Sequence, residues 1–138
     1  MLRRRKARQA SHRLRVLVVE DDDSFARAVS MLLEADGRLE VVGMARDGRE
    51  GVELAEALRP DVVLMDILLP VMDGIEATRE IRRRQPATEV VGITGLAYED
   101  RALEVSNAGA IDFVDKSMLG PELVDIVVAA AHGRRTSG

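Results

Sequence analysis

The sequence predicts an α/β fold in which a doubly wound, five-stranded parallel sheet carries helices on both faces. Two observations lead to this prediction. Short runs rich in Val, Leu and Ile recur along the chain at the length of strands that are buried on both faces. Amphipathic stretches with helical spacing of apolar residues separate these runs. Because strands that alternate with helices form right-handed βαβ units, we expect the strands to lie parallel in one sheet.

The five predicted strands are short and mostly aliphatic. In chain order they are Leu14–Val19, Val41–Ala45, Asp61–Asp66, Val90–Thr94 and Ala110–Val114. The third, with the sequence DVVLMD, changes abruptly from apolar residues to a carboxylate at Asp66. An isolated buried carboxylate is costly, so we expect Asp66 to lie where the strand leaves the sheet and faces a crevice.

The first three helices are indicated by apolar spacing together with capping and stop residues. The first follows the acidic run after the first strand, and we expect it to stop at Gly37. Asp47 and Asp73 are the predicted N-caps of the second and third helices. A proline ends each of these two helices, Pro60 for the second and Pro86 for the third.

The last two helices are predicted to be a short one from about Glu99 to Asn107 and an apolar one that Pro121 opens. The core face of the fifth helix is expected to consist of Leu123, Ile126, Val127 and Ala130. Val124 and Val128 lie beside that face, and we expect them to form an apolar stripe for a partner.

The composition favours one folded domain. The chain has 138 residues, enough to bury a core without disulfides, and it has no cysteine for a disulfide or a thiolate metal site. No apolar run approaches the ~20 residues of a membrane span. The basic N-terminus lacks the apolar segment of a signal peptide, so we expect a cytoplasmic protein that does not contact a membrane.

Charge is distributed unevenly along the chain. The net charge is −4, but eight of the 20 basic residues lie within residues 1–13 and 134–138, which hold no acidic residue. Residues 14–133 therefore carry 12 basic residues against all 24 acidic ones, a charge of −12. We interpret residues 1–13 as a basic, disordered tail, residues 14–133 as the domain and residues 134–138 as a short C-terminal tail. Contact of the basic tail with nucleic acid or anionic lipid is the alternative.

Five chemically active residues follow or end the predicted strands: Glu20, Asp21, Asp66, Thr94 and Lys116. Open parallel sheets bind ligands at this edge. Clustered carboxylates repel one another unless a cation holds them, and oxygen ligands without His or Cys favour Mg²⁺. Lys116 is the one lysine among residues 14–133, where all other basic residues are arginines. Its compact positive charge is well suited to contact a phosphoryl group. The set predicts a phosphoryl site with Asp66 as the nucleophile.

These residues and their surroundings resemble the receiver domain of response regulators in bacterial two-component signalling. The resemblance covers residues 14–133, and its pieces occur in order at matching strand ends. They are Glu20–Asp21, Asp66 with Pro70 and then Asp73–Gly74, Thr94–Gly95, and Ala108–Gly109–Ala110 leading to Lys116. The stretches DVVLMD and DGIEATREIR are closest to receivers of LuxR-type transcription regulators.

The resemblance implies a flavodoxin-like strand order of 2-1-3-4-5 and an aspartyl phosphate on Asp66. The phosphoryl group would come from a sensor histidine kinase. Glu20, Asp21, Asp66 and the backbone carbonyl of Leu68 would hold Mg²⁺. Phosphoryl transfer mainly requires positioning and charge neutralisation, which such a site supplies.

The resemblance also gives roles to residues around the nucleophile. Lys116 and the hydroxyl of Thr94 would bind the phosphoryl oxygens. Thr94 and Phe113 would form the switch pair, and Phe113 stands where tyrosine is frequent, so this pair lacks a phenol hydroxyl. Leu68 and Leu96 would line the approach of water to the aspartyl phosphate. Because apolar side chains cannot orient that water, we predict a long-lived phosphorylated state.

We expect the signal to leave through the fourth helix, fifth strand and fifth helix. A helix of about nine residues is marginally stable, so the fourth helix shifts at little cost. This surface is predicted to bind a partner or to form a homodimer. Contact with DNA is expected only through an output domain that this chain lacks. The protein is expected to catalyse only its own phosphorylation and dephosphorylation.

Two other interpretations remain open for the same residues. A pseudo-receiver would keep the fold as a binding module without phosphorylation, although all five key residues are present. A Mg²⁺-dependent phosphatase of the haloacid dehalogenase type needs a second aspartate two positions after the nucleophile, where this chain has Leu68. A GTPase is excluded because the sequence has no GxxxxGK[ST] loop.

Overall fold

The computed structural model describes residues 12–95 and 98–136, and for residues 98–100 it describes the backbone only. The strands are β1 (Leu14–Val19), β2 (Leu39–Ala45), β3 (Val62–Asp66), β4 (Glu89–Thr94) and β5 (Asp112–Asp115). The helices are α1 (Asp23–Glu34), α2 (Gly48–Leu58), α3 (Gly74–Arg84), α4 (Tyr98–Asn107) and α5 (Pro121–Ala131). Residues 1–11 of the predicted basic tail lie outside the described residues. Every described helix is too short or too polar to span a bilayer.

The strands form one parallel sheet in the order β2-β1-β3-β4-β5. This arrangement confirms the predicted doubly wound fold and its strand order. The central strand β3 is buried along its whole length, and its last residue, Asp66, pairs in register with Ile93 of β4. The direction of strand addition reverses between β1 and β3, which is where open parallel sheets form a crevice at their carboxyl edge.

An apolar core lies on each face of the sheet. Alternate residues of β1 point to opposite faces, so Val16 and Val18 belong to one core and Leu17 and Val19 to the other. Helices α1 and α5 cover the first core, and α2, α3 and α4 cover the second. Each helix therefore packs on one face of the sheet, and helices from both faces flank its carboxyl edge.

Several predicted boundaries differ from the observed ones. Strand β2 begins two residues earlier than predicted, at Leu39, and β4 begins at Glu89. Strand β5 covers Asp112–Asp115 instead of Ala110–Val114, because the buried Asp112 is the residue that pairs with β4. Its carboxylate oxygen Oδ2 accepts hydrogen bonds from the amide and the hydroxyl of Thr136, each at 3.0 Å. A hydrophobic pattern cannot show such a partner, which lies beyond α5.

The prediction of an exposed apolar stripe on α5 is wrong. The expected core residues of this helix are buried, but Val124 and Val128 are also only 5 % and 8 % exposed. Both belong to the core that α1 covers together with α5. The neighbouring helix α1 thus widens the buried face of α5, and these two valines are not available to a partner.

Candidate functional site

Three carboxylates meet at the carboxyl edge of the sheet. Glu20 and Asp21 follow β1 directly, and Asp66 ends the neighbouring strand β3. One carboxylate oxygen from each residue lies within 4.8 Å of those from the other two. Glu20 and Asp66 are only 2 % and 3 % exposed, whereas Asp21 is open to solvent. Two buried carboxylates and one exposed carboxylate therefore share one small site.

Lys116 reaches this cluster from the end of β5. Its Nζ lies 2.8 Å from Glu20 Oε1 and donates a hydrogen bond to Asp66 Oδ2 at 3.1 Å. Burial raises the pKa of Glu20 to about 7, although the contact with Lys116 opposes that rise. Burial lowers the pKa of Lys116, but its contacts with Glu20 and Asp66 outweigh burial and leave that pKa above its ordinary value. The ammonium thus stays charged and offsets part of the carboxylate charge.

A tight acidic turn joins β1 to α1 and fixes Glu20. The amide of Asp22 donates to Glu20 Oε2 at 2.9 Å. Asp22 is itself the N-cap of α1, and its Oδ1 accepts from the amides of Ser24 and Phe25 at 3.0 and 3.2 Å. The capping role of Asp22 was not predicted, because it lies in a run of four acidic residues that the sequence alone does not distinguish.

The loop between β3 and α3 is held by backbone contacts. The amide of Leu68 donates to Asp66 Oδ1 at 2.9 Å. The amide of Met72 donates to the carbonyl of Pro70 at 2.7 Å, and Val71 between them has a φ of 68°. These three residues form a γ-turn. A β-branched residue at positive φ is strained, so contacts around the turn must hold it in place.

Two glycines supply such contacts by letting backbone pack on backbone. A Cβ on Gly48, the first residue of α2, would lie 2.0 Å from the carbonyl oxygen of Met72. A Cβ on Gly74 would lie 2.0 Å from the carbonyl oxygen of Asp66. Neither contact was predicted. The sequence signal that points to them is that each glycine follows an aspartate N-cap, Asp47 or Asp73.

The remaining predicted site residues lie at different distances from the cluster. Thr94 is buried at the end of β4, and its carbonyl accepts a hydrogen bond from the amide of Lys116 at 2.7 Å. Phe113 of β5 is partly buried against the core beneath α2, α3 and α4. The side chain of Leu68 is exposed. Leu96 lies outside the described residues.

The carboxylate cluster fits a small divalent cation. Its three oxygen donors come from separate carboxylates at short mutual distance, and no nitrogen or sulfur ligand belongs to this group. Glu20 Oε1 is buried and has no well-aligned hydrogen-bond donor among the described residues, although Lys116 Nζ is close to it. A buried carboxylate oxygen in this condition gains by binding a cation.

Comparisons with known proteins agree with this fold. The model of the response regulator receiver domain family matches residues 16–128. The signal receiver domain of NarL from Mycobacterium tuberculosis is similar with a TM-score of 0.85 and 32 % identity, over 89 % of this chain and 99 % of that chain. A LuxR-family response regulator from Aurantimonas sp. SI85-9A1 gives a TM-score of 0.85 and 34 % identity, over 91 % and 90 % of the two chains.

Curated relatives extend beyond the matched region. The transcriptional regulatory protein LiaR of Bacillus subtilis is 38 % identical over 120 residues, which are 87 % of this chain and 57 % of LiaR. A protein-glutamate methylesterase/protein-glutamine glutaminase of Pseudomonas aeruginosa is 46 % identical over 106 residues, which are 75 % of this chain but 28 % of that enzyme. The chain thus spans little more than half of LiaR and about a quarter of the methylesterase, so the match does not carry over the activities of those whole proteins.

Proposed function

Because this chain belongs to the response regulator receiver domain family, we propose that Asp66 accepts a phosphoryl group from the phosphohistidine of a sensor kinase. The observation that carries the proposal is the environment of Asp66. It is buried at the end of the central strand, beside Glu20 and Asp21, and its Oδ2 lies 3.1 Å from Lys116 Nζ. A nucleophilic carboxylate, further carboxylates for a cation and a fixed ammonium are what this transfer requires.

In the proposed step, a carboxylate oxygen of Asp66 attacks phosphorus in line with the departing histidine nitrogen. The O–P bond forms as the P–N bond breaks, and the nitrogen leaves with the electron pair of that bond. The Leu68 amide orients Asp66 through its hydrogen bond to Oδ1. Lys116, beside Oδ2, neutralises charge on the transferred phosphoryl oxygens, and the Thr94 hydroxyl serves as a second donor to them.

We propose Glu20, Asp21 and Asp66 as the residues that hold Mg²⁺, with the carbonyl of Leu68 as a further ligand. The mutual distances of the three carboxylates and the buried Glu20 Oε1 support this assignment. A bound Mg²⁺ neutralises charge on the phosphoryl oxygens. Glu20 must be deprotonated to act as a ligand, and its pKa of about 7 makes that requirement matter near neutral pH.

The proposed output is a change on the surface formed by α4, β5 and α5. Thr94 ends β4, and its carbonyl accepts a hydrogen bond from the Lys116 amide. Phe113 lies in β5 three residues before Lys116. A movement of Lys116 or Thr94 toward the phosphoryl group would therefore displace β5. This surface would bind a partner protein or a second copy of the chain. The likeness to LiaR supports a role in transcription through a separate output domain.

The test is phosphorylation by a small donor. The chain is incubated with Mg²⁺ and acetyl phosphate, and its intact mass is followed. We expect a gain of one phosphoryl mass in the wild type and no gain in Asp66→Asn, with unchanged circular dichroism. Asp22→Asn is the matched control, because Asp22 is a neighbouring carboxylate that caps α1 and is not assigned to the phosphoryl site.

The result separates the three candidate functions. A receiver gains one phosphoryl group and loses it slowly. A phosphatase hydrolyses acetyl phosphate with multiple turnovers. A pseudo-receiver does neither. Full labelling of Asp66→Asn would show that another carboxylate is the acceptor. The absence of labelling in the wild type, with Mg²⁺ bound, would favour the pseudo-receiver.

A further inference from the structure

Phe25 contacts the ammonium group of Lys116. The first turn of α1 places the Phe25 ring so that Lys116 Nζ lies 4.8 Å from the ring centroid. This distance is typical of a cation–π interaction, in which the negative face of an aromatic ring attracts a cation. Among the described residues, the ammonium thus contacts the Phe25 ring and the carboxylates of Glu20 and Asp66.

The ring differs from the other two partners because it does not take part in the proposed reaction. Glu20 and Asp66 are proposed to bind Mg²⁺, and Asp66 is proposed to become the acyl phosphate. Their negative charge toward Lys116 is therefore reduced as the reaction proceeds. The Phe25 ring keeps its attraction throughout and accepts no conventional hydrogen bond, so the N–H donors that leave Glu20 and Asp66 can turn to phosphoryl oxygens.

Lysine needs such a contact more than arginine does. Its ammonium is a strongly hydrated point charge on a flexible four-carbon stem and lacks a rigid fork of donors. Part of the Lys116 side chain is open to solvent, at 29 % exposure. An aromatic face on one side restricts where the ammonium can lie and keeps water from that side.

The position of the ring is itself tied to the carboxylate cluster. The Phe25 amide donates to Asp22 Oδ1, and the Asp22 amide donates to Glu20 Oε2. The acidic turn therefore fixes the ring and the buried carboxylate relative to each other. Phe25 also packs at the border of the core beneath α1 and α5, which holds the ring from behind.

We propose that Phe25 is a positioning residue whose ring holds the Lys116 ammonium beside Asp66 while the carboxylates are engaged in phosphoryl transfer. This inference rests on the proposed function. It predicts a requirement for an aromatic ring at residue 25, whereas a purely structural role would be satisfied by any apolar side chain of similar size.

The kinetic test compares Phe25→Leu with Phe25→Tyr in phosphorylation by acetyl phosphate at saturating Mg²⁺. We expect Phe25→Leu to lower the rate constant by about threefold to tenfold and Phe25→Tyr to stay within about twofold of the wild type. Leu32→Ala is the matched control, since Leu32 is another partly buried residue of α1 against the same core. It should cost stability without changing the rate constant of the folded protein.

A double-mutant cycle shows whether Phe25 acts through Lys116. In a Lys116→Ala background, Phe25→Leu should cause no further loss of rate. Equal losses from Phe25→Leu in both backgrounds, or a wild-type rate in Phe25→Leu alone, would overturn the proposal. A wild type that takes no phosphoryl group would instead refute the proposed function, and the spectroscopic test would then decide about Phe25.

The spectroscopic test does not depend on phosphorylation. The chain contains two lysines, Lys6 and Lys116, so ¹³Cε-labelled lysine gives two NMR signals. The ring current of Phe25 should shift the ε-protons of Lys116 upfield of those of Lys6. The shift should persist in Phe25→Tyr and vanish in Phe25→Leu. If the wild type shows no such shift, the ring does not hold the ammonium and the proposal is wrong. The wild-type spectrum alone decides this, so the test remains valid if Phe25→Leu fails to fold.

Discussion

At Glu20, burial and charge act on one carboxyl group in opposite directions. The side chain is 2 % exposed and its pKa is raised to about 7 by burial, against the effect of the nearby Lys116. The folded state therefore binds a proton at Glu20 more tightly than the unfolded chain does. The stabilisation that this proton provides is complete below the unfolded value of 4.5 and is lost as the pH rises through about 7.

We accordingly predict that the metal-free protein loses stability between about pH 5 and about pH 8. The melting temperature should fall by roughly 5 °C over this interval, apart from changes that other groups cause. Glu20→Gln removes the titrating group and should flatten this part of the profile. Because Mg²⁺ replaces the proton as the partner of the carboxylate, its addition should restore more stability at about pH 8 than at about pH 5. Calorimetry at both pH values measures these differences, and an equal fall in Glu20→Gln would rule out Glu20 as the cause.

Leu68 and Leu96, which the resemblance to receiver domains assigns to the approach of water, lead to a prediction about the lifetime of the phosphoryl group. Leu68 is 55 % exposed in the loop that follows Asp66, and its apolar side chain offers no hydrogen bond to an attacking water. Leu68→Asn combined with Leu96→Glu should speed loss of the phosphoryl group by about tenfold, which is ~1.4 kcal/mol of barrier. Met31→Asn, at an exposed apolar residue of α1, is the control. Equal decay of wild type and double variant at the same Mg²⁺ concentration would mean that the metal site alone sets the lifetime.

The residues of the candidate site were predictable to the extent that topology brings them together. Asp66, Glu20 and Lys116 were predicted to meet because the carboxyl ends of parallel strands share one edge of the sheet. The contact of Phe25 with Lys116 was not predictable in this way. It joins a helix to a distant strand end, and although Lys116 stands out as the one lysine of residues 14–133, no local pattern distinguishes Phe25 from the other apolar residues of α1.

Between elements, the contact of α2 with the β3–α3 loop is the most restrictive one near the site. The γ-turn at Pro70–Met72 contains the strained and exposed Val71, and a Cβ on Gly48 would lie only 2.0 Å from the carbonyl oxygen of Met72. Backbone atoms cannot rotate away from a clash as a flexible side chain can. The N-terminus of α2 therefore fixes the loop that carries Leu68.

We predict that Gly48→Ala lowers the free energy of unfolding by about 2 kcal/mol, because the added Cβ must displace the Met72 backbone. It should also weaken Mg²⁺ binding, since the displaced loop carries the proposed carbonyl ligand of Leu68. Denaturant unfolding and Mg²⁺ titration measure the two effects. Gly37→Ala is the matched control, because a Cβ at Gly37 has no neighbour within 4 Å. Equal stability of both variants would show that the loop yields without cost.

Element boundaries show where sequence patterns were insufficient. The five strands and five helices of the described residues were predicted from alternating apolar runs, and the start of α5 at Pro121 was predicted correctly. The exposed stripe at Val124 and Val128 was wrong because α5 is apolar around most of its circumference. Such a helix does not reveal its exposed face, and the neighbour α1 decided which residues are covered.

For the whole molecule, the segment after α5 links the end of the described chain to β5. The Arg135 Nε donates to the carbonyl of Ile111 at 2.7 Å, and Thr136 donates twice to the buried Asp112. Asp112 begins the strand that Lys116 follows. The proposed phosphorylation site and the residues beyond α5 are therefore connected through one short strand.

This connection predicts how phosphorylation changes the molecule. As Lys116 turns toward the new phosphoryl group, β5 and the marginally stable α4 should adjust, because a helix of ten residues has little stability of its own. Amide hydrogen exchange should then change by about tenfold or more in α4, β5 and α5, and also at Thr136, while the central strands β1 and β3 keep their protection. Asp66→Asn treated with the same Mg²⁺ and acetyl phosphate should show no change. Exchange that changed only in α1 and α2 would place the output at the β2 edge of the sheet, away from β5, and would contradict the proposed surface.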